Sequence, residues 1–337
     1  MTQYHVYGIG AALVDTEIEV ADQDLAQLGI EKGLMTLVDE ARQHELVTHL
    51  RDHLVASRRA CGGSAANTII ALSYFGGKAF YSCKVADDDN GRFYLQDMES
   101  AGVKHPHTTS PGKGVTGKCL VMITPDAERT MNTFLGTSET VSENEIDAEA
   151  IACSEYLYME GYLVTSPSGR AAAIKARKIA QASKVKVAIS LSDPGMVTHF
   201  KTGLQEMIGD RVDLLFCNRA EALEWTGASQ VLEAAEKLKN VSHRFAITLG
   251  AEGSLIFDGD NLHRVAGHPV TAIDTNGAGD MFAGALLYGL THGLDCTDAG
   301  KLANLASAKV VSQFGPRLHP EQHQELLLAF KNLPGSC

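Results

Sequence analysis

A short run near the C-terminal end, Asp274–Asp280 (DTNGAGD), holds the residues best suited to carry out chemistry. It follows a predicted hairpin and precedes an apolar helical pattern, Met281–Thr291. Small residues at the start of a helix leave free N–H groups pointing at one spot, with the helix dipole behind them. Such a loop can hold a transferring phosphoryl group, and Asp280 could accept the proton of an attacking hydroxyl. A glycine-rich helix start with an Asp that only caps it would show the same pattern.

A second candidate segment is Cys61–Asn67 (CGGSAAN). The paired glycines Gly62 and Gly63 let a ligand approach the backbone closely. Asn67 follows one turn into the predicted helix, where its amide can donate and accept hydrogen bonds. Tight packing of a helix on a strand is the alternative explanation for these small residues.

Strand-like and helix-like runs alternate along most of the chain, which predicts an α/β fold with a mainly parallel sheet flanked by helices. The predicted strands are 5–13, 79–83, 156–159, 185–191, 212–217 and 245–249, with a hairpin of 254–257 and 262–265. The predicted helices are 64–75, 90–100, 170–182, 220–226, 281–291, 301–311 and 321–331.

Two stretches interrupt this alternation. Residues 17–60 form an insertion before the Gly62-Gly63 pair, and residues 115–135 contain β-rich alternating segments without a helix. Excursions of this size from an α/β sheet are often lids over a site, although decorative hairpins would look the same. We therefore predict a main domain of residues 1–16, 61–114 and 136–337, and a lid of residues 17–60 and 115–135.

The composition and net charge exclude some classes of binding partner. The 337 residues are 45% hydrophobic and 21% charged, which is typical of a globular protein with a sizeable core. The net charge of −12 disfavours a nucleic-acid or anionic-membrane partner, since phosphate backbones require clustered Lys and Arg.

The cysteines and the hydropathy pattern bear on location. Seven scattered cysteines without a CxxC pair indicate reduced thiols, as in the cytoplasm. We expect neither a signal peptide nor a membrane span, because no basic-then-apolar leader and no long apolar run is present.

The segment DTNGAGD followed by MFAGAL resembles the C-terminal motif of the PfkB/ribokinase-like kinases. In that family the Gly-Ala-Gly amides stabilise the phosphoryl group and the last Asp is the general base, which implies these roles for Gly277, Ala278, Gly279 and Asp280. The resemblance implies a doubly wound ribokinase-like fold, ATP with Mg²⁺, and a small-molecule acceptor. In potassium-activated members the first Asp of the motif helps to hold K⁺, a role that would fall to Asp274.

The N-terminal segment is similar to the second motif of this family. Its members use the Gly-Gly pair, the Asn and an Asp near the end of the first strand to bind hydroxyls of a ribose or sugar. The matching residues are Asp15, Gly62, Gly63 and Asn67.

Three further segments match the nucleotide side of the family. Asn218-Arg219-Ala220-Glu221 resembles its N-x-x-E motif, whose Glu acts on Mg²⁺ through water. Thr248-Leu249-Gly250 with Gly253 resembles the loop beside the nucleotide, and Asn304 a position near the adenine. The motifs occur in family order over nearly the whole chain.

Within the family, the long insertion, Arg129-Thr130-Met131 and Ser190–Pro194 are similar to the adenosine kinase branch. This implies a nucleoside acceptor, with a sugar or sugar acid as the alternative. Gly10-Ala11-Ala12-Leu13 departs from that branch, which carries a polar residue and a proline there. A monomer and a homodimer both stay open.

Competing motifs are weaker. Residues 112–119 nearly match GxxxxGK[ST], but Cys119 ends the match and an apolar run follows where a P-loop opens a helix. Gly8 and Gly10 suggest a dinucleotide fingerprint, but Leu13 occupies the position of its third glycine.

A metal site and a non-catalytic ligand sensor are two alternative functions. His49 and His53, with His44 nearby, could face one side of a helix and bind a metal, but a solvated helix face is the better explanation, because no Cys or clustered carboxylate completes a ligand set. A kinase-like fold that only senses a ligand would lack the base and the glycine loop, and both are intact here.

Overall fold

The structure, a computed structural model, describes residues 2–51, 58–106 and 113–332. In chain order its strands are β1 (Tyr4–Ile9), β2 (Leu13–Glu19), β3 (Met35–Leu37), β4 (Arg58–Gly62), β5 (Ala79–Ser82), β6 (Thr116–Ile123), β7 (Arg129–Gly136), β8 (Ser154–Glu160), β9 (Lys186–Ser190), β10 (Val212–Asn218), β11 (Ser242–Thr248), β12 (Ser254–Phe257) and β13 (Leu262–Val265). Its helices are α1 (Asp22–Gln27), α2 (Glu40–His49), α3 (Ser64–Tyr74), α4 (Asp89–Ser100), α5 (Ala148–Ala152), α6 (Pro167–Ala182), α7 (Pro194–Ile208), α8 (Arg219–Thr226), α9 (Val231–Leu238), α10 (Ala278–Thr291), α11 (Cys296–Val311) and α12 (Pro320–Lys331).

The larger of two sheets has eight strands in the order β13-β12-β11-β10-β9-β8-β1-β5. The six strands from β11 to β5 run parallel, and β12 and β13 add an antiparallel hairpin at one edge. From β1 the chain moves to β5 on one side and then to β8 on the other. The carboxyl ends of β1 and β8 therefore form the switch point at which open α/β sheets bind ligands.

Helices cover both faces of this sheet. One hydrophobic core packs α3, α4, α10, α11 and α12 on one face, and a second core packs α5–α9 on the other. Helices α3 and α10 lie in close contact. At Gly284 of α10 there is no room for a side chain, since an added Cβ would lie 2.6 Å from the carbonyl oxygen of Thr68 in α3. The N-termini of both helices consequently meet near the switch point.

The second sheet has five strands in the order β3-β7-β6-β2-β4. Two small apolar clusters cover its faces, and one of them is formed with α1 and α2. The chain crosses between the two sheets four times: from β1 to β2, from β4 to α3, from α4 to β6, and from β7 to the 3₁₀ segment Thr137–Thr140. Three of these crossings are short and contain a glycine, namely Gly10, Gly63 and Gly136, whereas the crossing from α4 to β6 spans residues 101–115 and lies partly outside the described residues.

The predicted first strand, 5–13, is wrong in one respect. The strand ends at Ile9, and Leu13 begins β2 in the other sheet. Between them the backbone leaves the ladder, because the N–H of Ala11 donates to Glu160 (2.6 Å) and that of Ala12 donates to Ser138 (2.9 Å). Asp15 therefore lies on the second sheet, although the family comparison placed it near the end of the first strand.

Three helices of the main domain were missed, namely α5, α7 and α9. The start of α7 carries readable signals, since Pro194 occupies its first turn and the Asp193 side chain accepts from the N–H of Gly195 (2.7 Å). The predicted helix 281–291 begins earlier, at Ala278, so that Asp280 lies inside its first turn.

The structure also gives the positions of the P-loop-like segment, the histidines and the cysteines. The P-loop-like segment leads into strand β6 rather than a helix, and its first residue, Gly112, lies outside the described residues. His44 and His49 lie on α2, and His53 falls outside the described ranges. The described cysteines are free, and Cys337 lies beyond them. Among the helices of residues 2–332 that the structure describes, none has the length and apolar character to cross a membrane.

Candidate active site

A cavity lies between the two sheets, above the carboxyl ends of β1 and β8. The main domain contributes Ala11, Gly63, Ser64, Asn67, Glu160, Tyr162, Thr165, Ser192, Asn276 and Asp280 to its wall. The second sheet contributes Leu13, Asp15, Met35, Leu37, Cys119, Arg129, Met131, Thr133 and Leu135. Alternate residues of β2 and β7 line it, because successive side chains of a strand point to opposite faces. The structure thus brings Asp15, Gly63, Asn67 and Asp280 together from distant parts of the sequence.

The segment Asp274–Gly279, called here the glycine loop, contributes Asn276 to the wall of this cavity and leads into Asp280. Gly277 adopts φ +74° as the N-cap of α10, and a Cβ there would lie 2.2 Å from the carbonyl oxygen of Pro316. Only glycine suits such a backbone and such a close approach. Gly279 is exposed and has no heavy atom within 4 Å of an added Cβ, so a ligand can reach the first amides of the helix.

Asp280 is held by two side chains from the start of α3. The Ser64 hydroxyl donates to its Oδ1 (2.6 Å), and the Asn67 amide donates to its Oδ2 (3.2 Å). Burial raises the pKa of Asp280 above its usual value, while these two hydrogen bonds and the charge of Arg129 oppose the rise. A carboxylate that is fixed in place and more basic than usual is suited to accept a proton.

The Gly62-Gly63 pair makes room for Asp15. A Cβ at Gly62 would lie 2.0 Å from Asp15 Oδ1, and a Cβ at Gly63, where φ is +96°, would lie 2.4 Å from the carbonyl oxygen of Ala11. Both glycines are therefore required by close contacts within the protein, as the packing explanation supposed, and Gly63 also lines the cavity.

Two polar groups in the cavity wall could bind a polar ligand. The Oδ1 atom of Asn67 is buried without a hydrogen bond. The carboxyl group of Asp15 is only 5% exposed, and burial together with the neighbouring Glu17 raises its pKa well above the usual value. Buried polar groups are normally satisfied, so these two are ready to bind a polar ligand.

Glu160, at the end of β8, is a site residue that the sequence analysis did not select. It is fully buried, and its two oxygens accept the N–H groups of Ala11 (2.6 Å) and Ala65 (2.8 Å). Burial raises its pKa to about 7, and the nearby Asp280 adds to the rise. Glu160 thus ties the end of β1 to the start of α3, the helix that holds Asp280.

Arg129, the first residue of β7, is a second site residue that was not predicted. In the sequence it was only a sign of the adenosine kinase branch. Here it lines the cavity, and its charge lowers the pKa values of Asp280, Glu221 and Asp193. Such a cation at the meeting point of several carboxylates is well placed to neutralise a phosphoryl group.

The predicted metal-side residues Asn218 and Glu221 form a capping box at the start of α8. The Asn218 Oδ1 accepts from the N–H of Glu221 (2.8 Å), and the Glu221 carboxylate accepts from the Asn218 N–H (2.9 Å) and side-chain amide (2.6 Å). Burial raises the pKa of Glu221 to about 7, and the nearby Asp193 raises it further. The local contacts explain the motif as a helix cap, and the buried acids create a place that would favour a cation.

The predicted nucleotide-side residues form a separate group. Thr248 ends β11 and Gly250 and Gly253 follow it, and a Cβ at Gly253 would lie 2.2 Å from the carbonyl oxygen of Val265. The Asn304 amide donates to the carbonyl oxygens of Val265 and Ala266, both at 3.1 Å. These residues therefore hold the ends of β11 and β13 together, and they do not line the cavity that contains Asp280.

Asp274 is buried beneath the glycine loop. Its oxygens accept the N–H groups of Asn276 (2.8 Å) and Gly315 (2.9 Å), and burial raises its pKa. Asp274 therefore fixes the loop to the segment after α11.

A doubly wound α/β domain with a second, β-rich sheet over its switch point defines the ribokinase-like class of fold. The solved structures confirm this prediction. The adenosine kinase from Sinorhizobium meliloti is 33% identical with a TM-score of 0.91, covering 97% of this chain and 99% of that one. A probable sugar kinase from Rhizobium etli is 32% identical with a TM-score of 0.92, covering 98% and 99%.

The chain belongs to the pfkB family of carbohydrate kinases, whose family model matches residues 34–323. An adenosine kinase of Schizophyllum commune is 28% identical over 94% of this chain and 97% of that protein. The predicted place in the PfkB superfamily, on its adenosine kinase branch, is thus supported. The protein is a phosphotransferase with an alcohol group as acceptor, and it uses ATP.

Proposed function

We propose that this kinase transfers the γ-phosphoryl group of ATP to a hydroxyl of a nucleoside such as adenosine. One observation carries this proposal: the wall of the cavity that holds Asp280 combines polar groups with a set of apolar side chains from the second sheet. A nucleoside combines a hydroxyl-rich ribose with a flat, largely apolar base, so both kinds of lining would be used.

The apolar wall comes from the second sheet. Leu13, Met35, Leu37, Met131 and Leu135 all face the cavity, and Tyr162 adds an aromatic ring from the main domain. Leu37 is 42% exposed, so a ligand that covers it would gain from its burial. A free sugar offers no comparable apolar surface.

Charge supports an uncharged acceptor. Asp15, Glu160 and Asp280 line the cavity, and Arg129 is the basic residue among the described residues that line it. A sugar acid would bring a carboxylate into this acidic surrounding, where like charges repel. A neutral sugar is therefore the second candidate, and the likeness to the Rhizobium etli protein favours it over a sugar acid.

We assign the polar side chains of the cavity wall to the binding of the ribose. Asn67 Oδ1 would accept a hydrogen bond from one hydroxyl, and the Asp15 carboxylate would accept from others. Gly63 leaves room for the sugar to approach the backbone. The hydroxyl that reacts would face Asp280.

The second sheet would act as a lid with the predicted boundaries of residues 17–60 and 115–135, joined to a main domain made of the rest. Closing it over the acceptor would exclude water, which otherwise competes for the phosphoryl group.

In the reaction, Asp280 would take the proton of the attacking hydroxyl while Ser64 and Asn67 keep its carboxylate in place. The amides of Gly277, Ala278 and Gly279 would donate to the phosphoryl oxygens, with Arg129 as an additional cation. Thr248, Gly250, Gly253 and Asn304 would shape the nucleotide side.

The residues present also fit a magnesium ion. Glu221 and Asp193 are both buried acids, the charge of Asp193 raises the pKa of Glu221, and a nearby divalent cation would relieve that repulsion. Mg²⁺ commonly binds one or two carboxylates plus waters, so Glu221 would hold it through water, where it neutralises charge on the phosphates. Asp274 keeps unused lone pairs and would hold a K⁺ ion. Because the reaction consumes ATP, we propose that the protein works in the cytoplasm, where ATP is supplied.

The deciding experiment measures ADP release from ATP and Mg²⁺ with a panel of nucleosides and sugars. Strong turnover with adenosine and little with ribose or fructose would support the nucleoside. Turnover with a sugar alone would leave the kinase in place and replace the acceptor. ATP binding without turnover on any acceptor would favour the ligand sensor.

An Asn67→Ala variant should have a KM for the acceptor raised by about 10-fold or more, the loss expected for one buried hydrogen bond. The KM for ATP should change far less, because Asn67 lies on the acceptor side. Steady-state kinetics with each substrate varied in turn measures both. Ser73→Ala, at the far end of the same helix, is the control. Equal changes in both KM values would remove Asn67 from the acceptor site.

A further inference from the structure

The glycine loop is hydrogen-bonded to the second sheet at three points. The Thr275 hydroxyl donates to the carbonyl oxygen of Ala127 (3.0 Å), and Arg129 Nη1 donates to the carbonyl oxygen of Thr275 (3.3 Å). The Asn276 amide donates to Glu17 Oε1 (3.1 Å), and both of these side chains are buried. The proposed phosphoryl-binding loop thus contacts the proposed lid directly.

On the second sheet, the contact is made by the β6–β7 turn, residues 124–128. Ala127 adopts φ +64°, a left-handed conformation that is unfavourable for a non-glycine residue. The turn is fixed around it, since the Ala127 N–H donates to the Thr124 carbonyl (2.8 Å) and the Thr124 hydroxyl donates to Asp126 (2.7 Å). The Ala127 carbonyl is therefore presented to Thr275 by a turn that holds its own shape.

On the other side, Thr275 leads directly into α10. Its carbonyl oxygen also accepts the N–H of Ala278 (3.3 Å), the first residue of that helix. A displacement of Thr275 would consequently move the first amides of α10 and, with them, Asp280. These are the groups to which the proposed reaction assigns the phosphoryl group and the proton.

Each partner also has stabilising contacts of its own. The glycine loop is anchored to the main domain through Asp274, whose oxygens accept from Asn276 and Gly315, and through the N–H of Ile273, which donates to Val311 (2.8 Å). The second sheet has its own apolar clusters. The bond from Thr275 to Ala127 therefore links two parts that are already stabilised separately.

We propose that Thr275 is a positioning residue through which closure of the second sheet sets the amides at the start of α10. Binding of the acceptor beneath the second sheet and assembly of the phosphoryl site would then be coupled. This inference rests on the proposed roles of the lid and the glycine loop, and it does not depend on which alcohol is the acceptor.

The test compares Thr275→Val, which removes the hydroxyl at nearly constant size, with Thr275→Ser, which keeps it. Loss of this hydrogen bond should lower kcat of the valine variant about 10-fold. Because the coupling between the two sites is lost as well, the KM of each substrate at a saturating concentration of the other should rise by the factor that the coupling contributes in the wild type, and the serine variant should resemble the wild type. The acceptor is whichever one the wild type phosphorylates fastest.

A binding measurement separates positioning from a merely structural role. By calorimetry, a non-hydrolysable ATP analogue should increase acceptor affinity in the wild type, as expected for two coupled sites. In Thr275→Val this factor should approach one, while the affinity for either ligand alone stays unchanged. Thr275→Ser should restore the coupling.

Three results would overturn the inference: wild-type kcat and coupling in Thr275→Val, equal losses in the valine and serine variants, or a kcat loss explained by a smaller folded fraction at the assay temperature. If valine prevents folding, Thr275→Ala takes its place in the same comparison. The proposed acceptor is judged on the wild type alone, so its failure would be distinguishable.

Discussion

Asp280→Asn should lower kcat by a factor of about 10²–10⁴, the contribution of a positioned general base. The amide keeps the shape of the side chain but has no basic oxygen for the proton of the acceptor hydroxyl. Because Asp280 lies on the acceptor side, ATP should still bind with an affinity close to that of the wild type. Steady-state kinetics and calorimetry with ATP measure the two quantities.

Asp298→Asn is a matched control. Asp298 is also the third residue of its helix, α11, and it is also largely buried, at 7% exposure. It pairs with Lys301 (2.8 Å) and does not line the cavity. The control should keep nearly full turnover. If Asp280→Asn did so too, the base would have to be another group.

Arg129→Gln should have the second-largest effect, lowering kcat by about 10²–10³, as for removal of one donor to developing negative charge. It should also change the pH dependence. The charge of Arg129 lowers the pKa of Asp280, so its removal raises that pKa. Because the base must be ionised, the acidic limb of the kcat profile should move to higher pH, and part of the lost activity should return as the pH rises.

Arg129→Lys separates the two effects of this residue. Lysine keeps the positive charge, so the acidic limb should stay near its wild-type position. It lacks the planar fork that contacts two oxygens at once, so kcat should still fall. An Arg129→Gln profile with an unmoved acidic limb would contradict the electrostatic role.

The sequence was most informative where local rules act. The hairpin of Ser254–Phe257 and Leu262–Val265 agrees with its prediction at both ends, because strand patterns and turn residues are adjacent in the chain. The glycine loop was also found from local features, namely small residues before a helix. The start of that helix was predicted three residues late, because Ala278 and Gly279 are typical of a loop as well.

The missed features depend on contacts between distant segments. Glu160 is recognisable only when the end of β8 meets the N–H groups of Ala11 and Ala65, and nothing near it in the sequence shows this. An acidic residue directly after a buried strand was the one available signal. The break between β1 and β2 was hidden for the same reason, since Leu13 continues an apolar run and only the tertiary contacts end the strand.

The three short, glycine-containing crossings between the sheets would let their boundary act as a hinge. If the five strands of the second sheet rotate as one body, the torsion must be absorbed in these connectors, where Gly63 (φ +96°) and Gly136 (φ +52°) already lie outside the range of most residues. Two of the connectors also form the cavity wall, through Ala11 and Gly63. An acceptor would therefore press on the hinge itself, and the extent of closure should depend on the size and shape of the molecule it encloses.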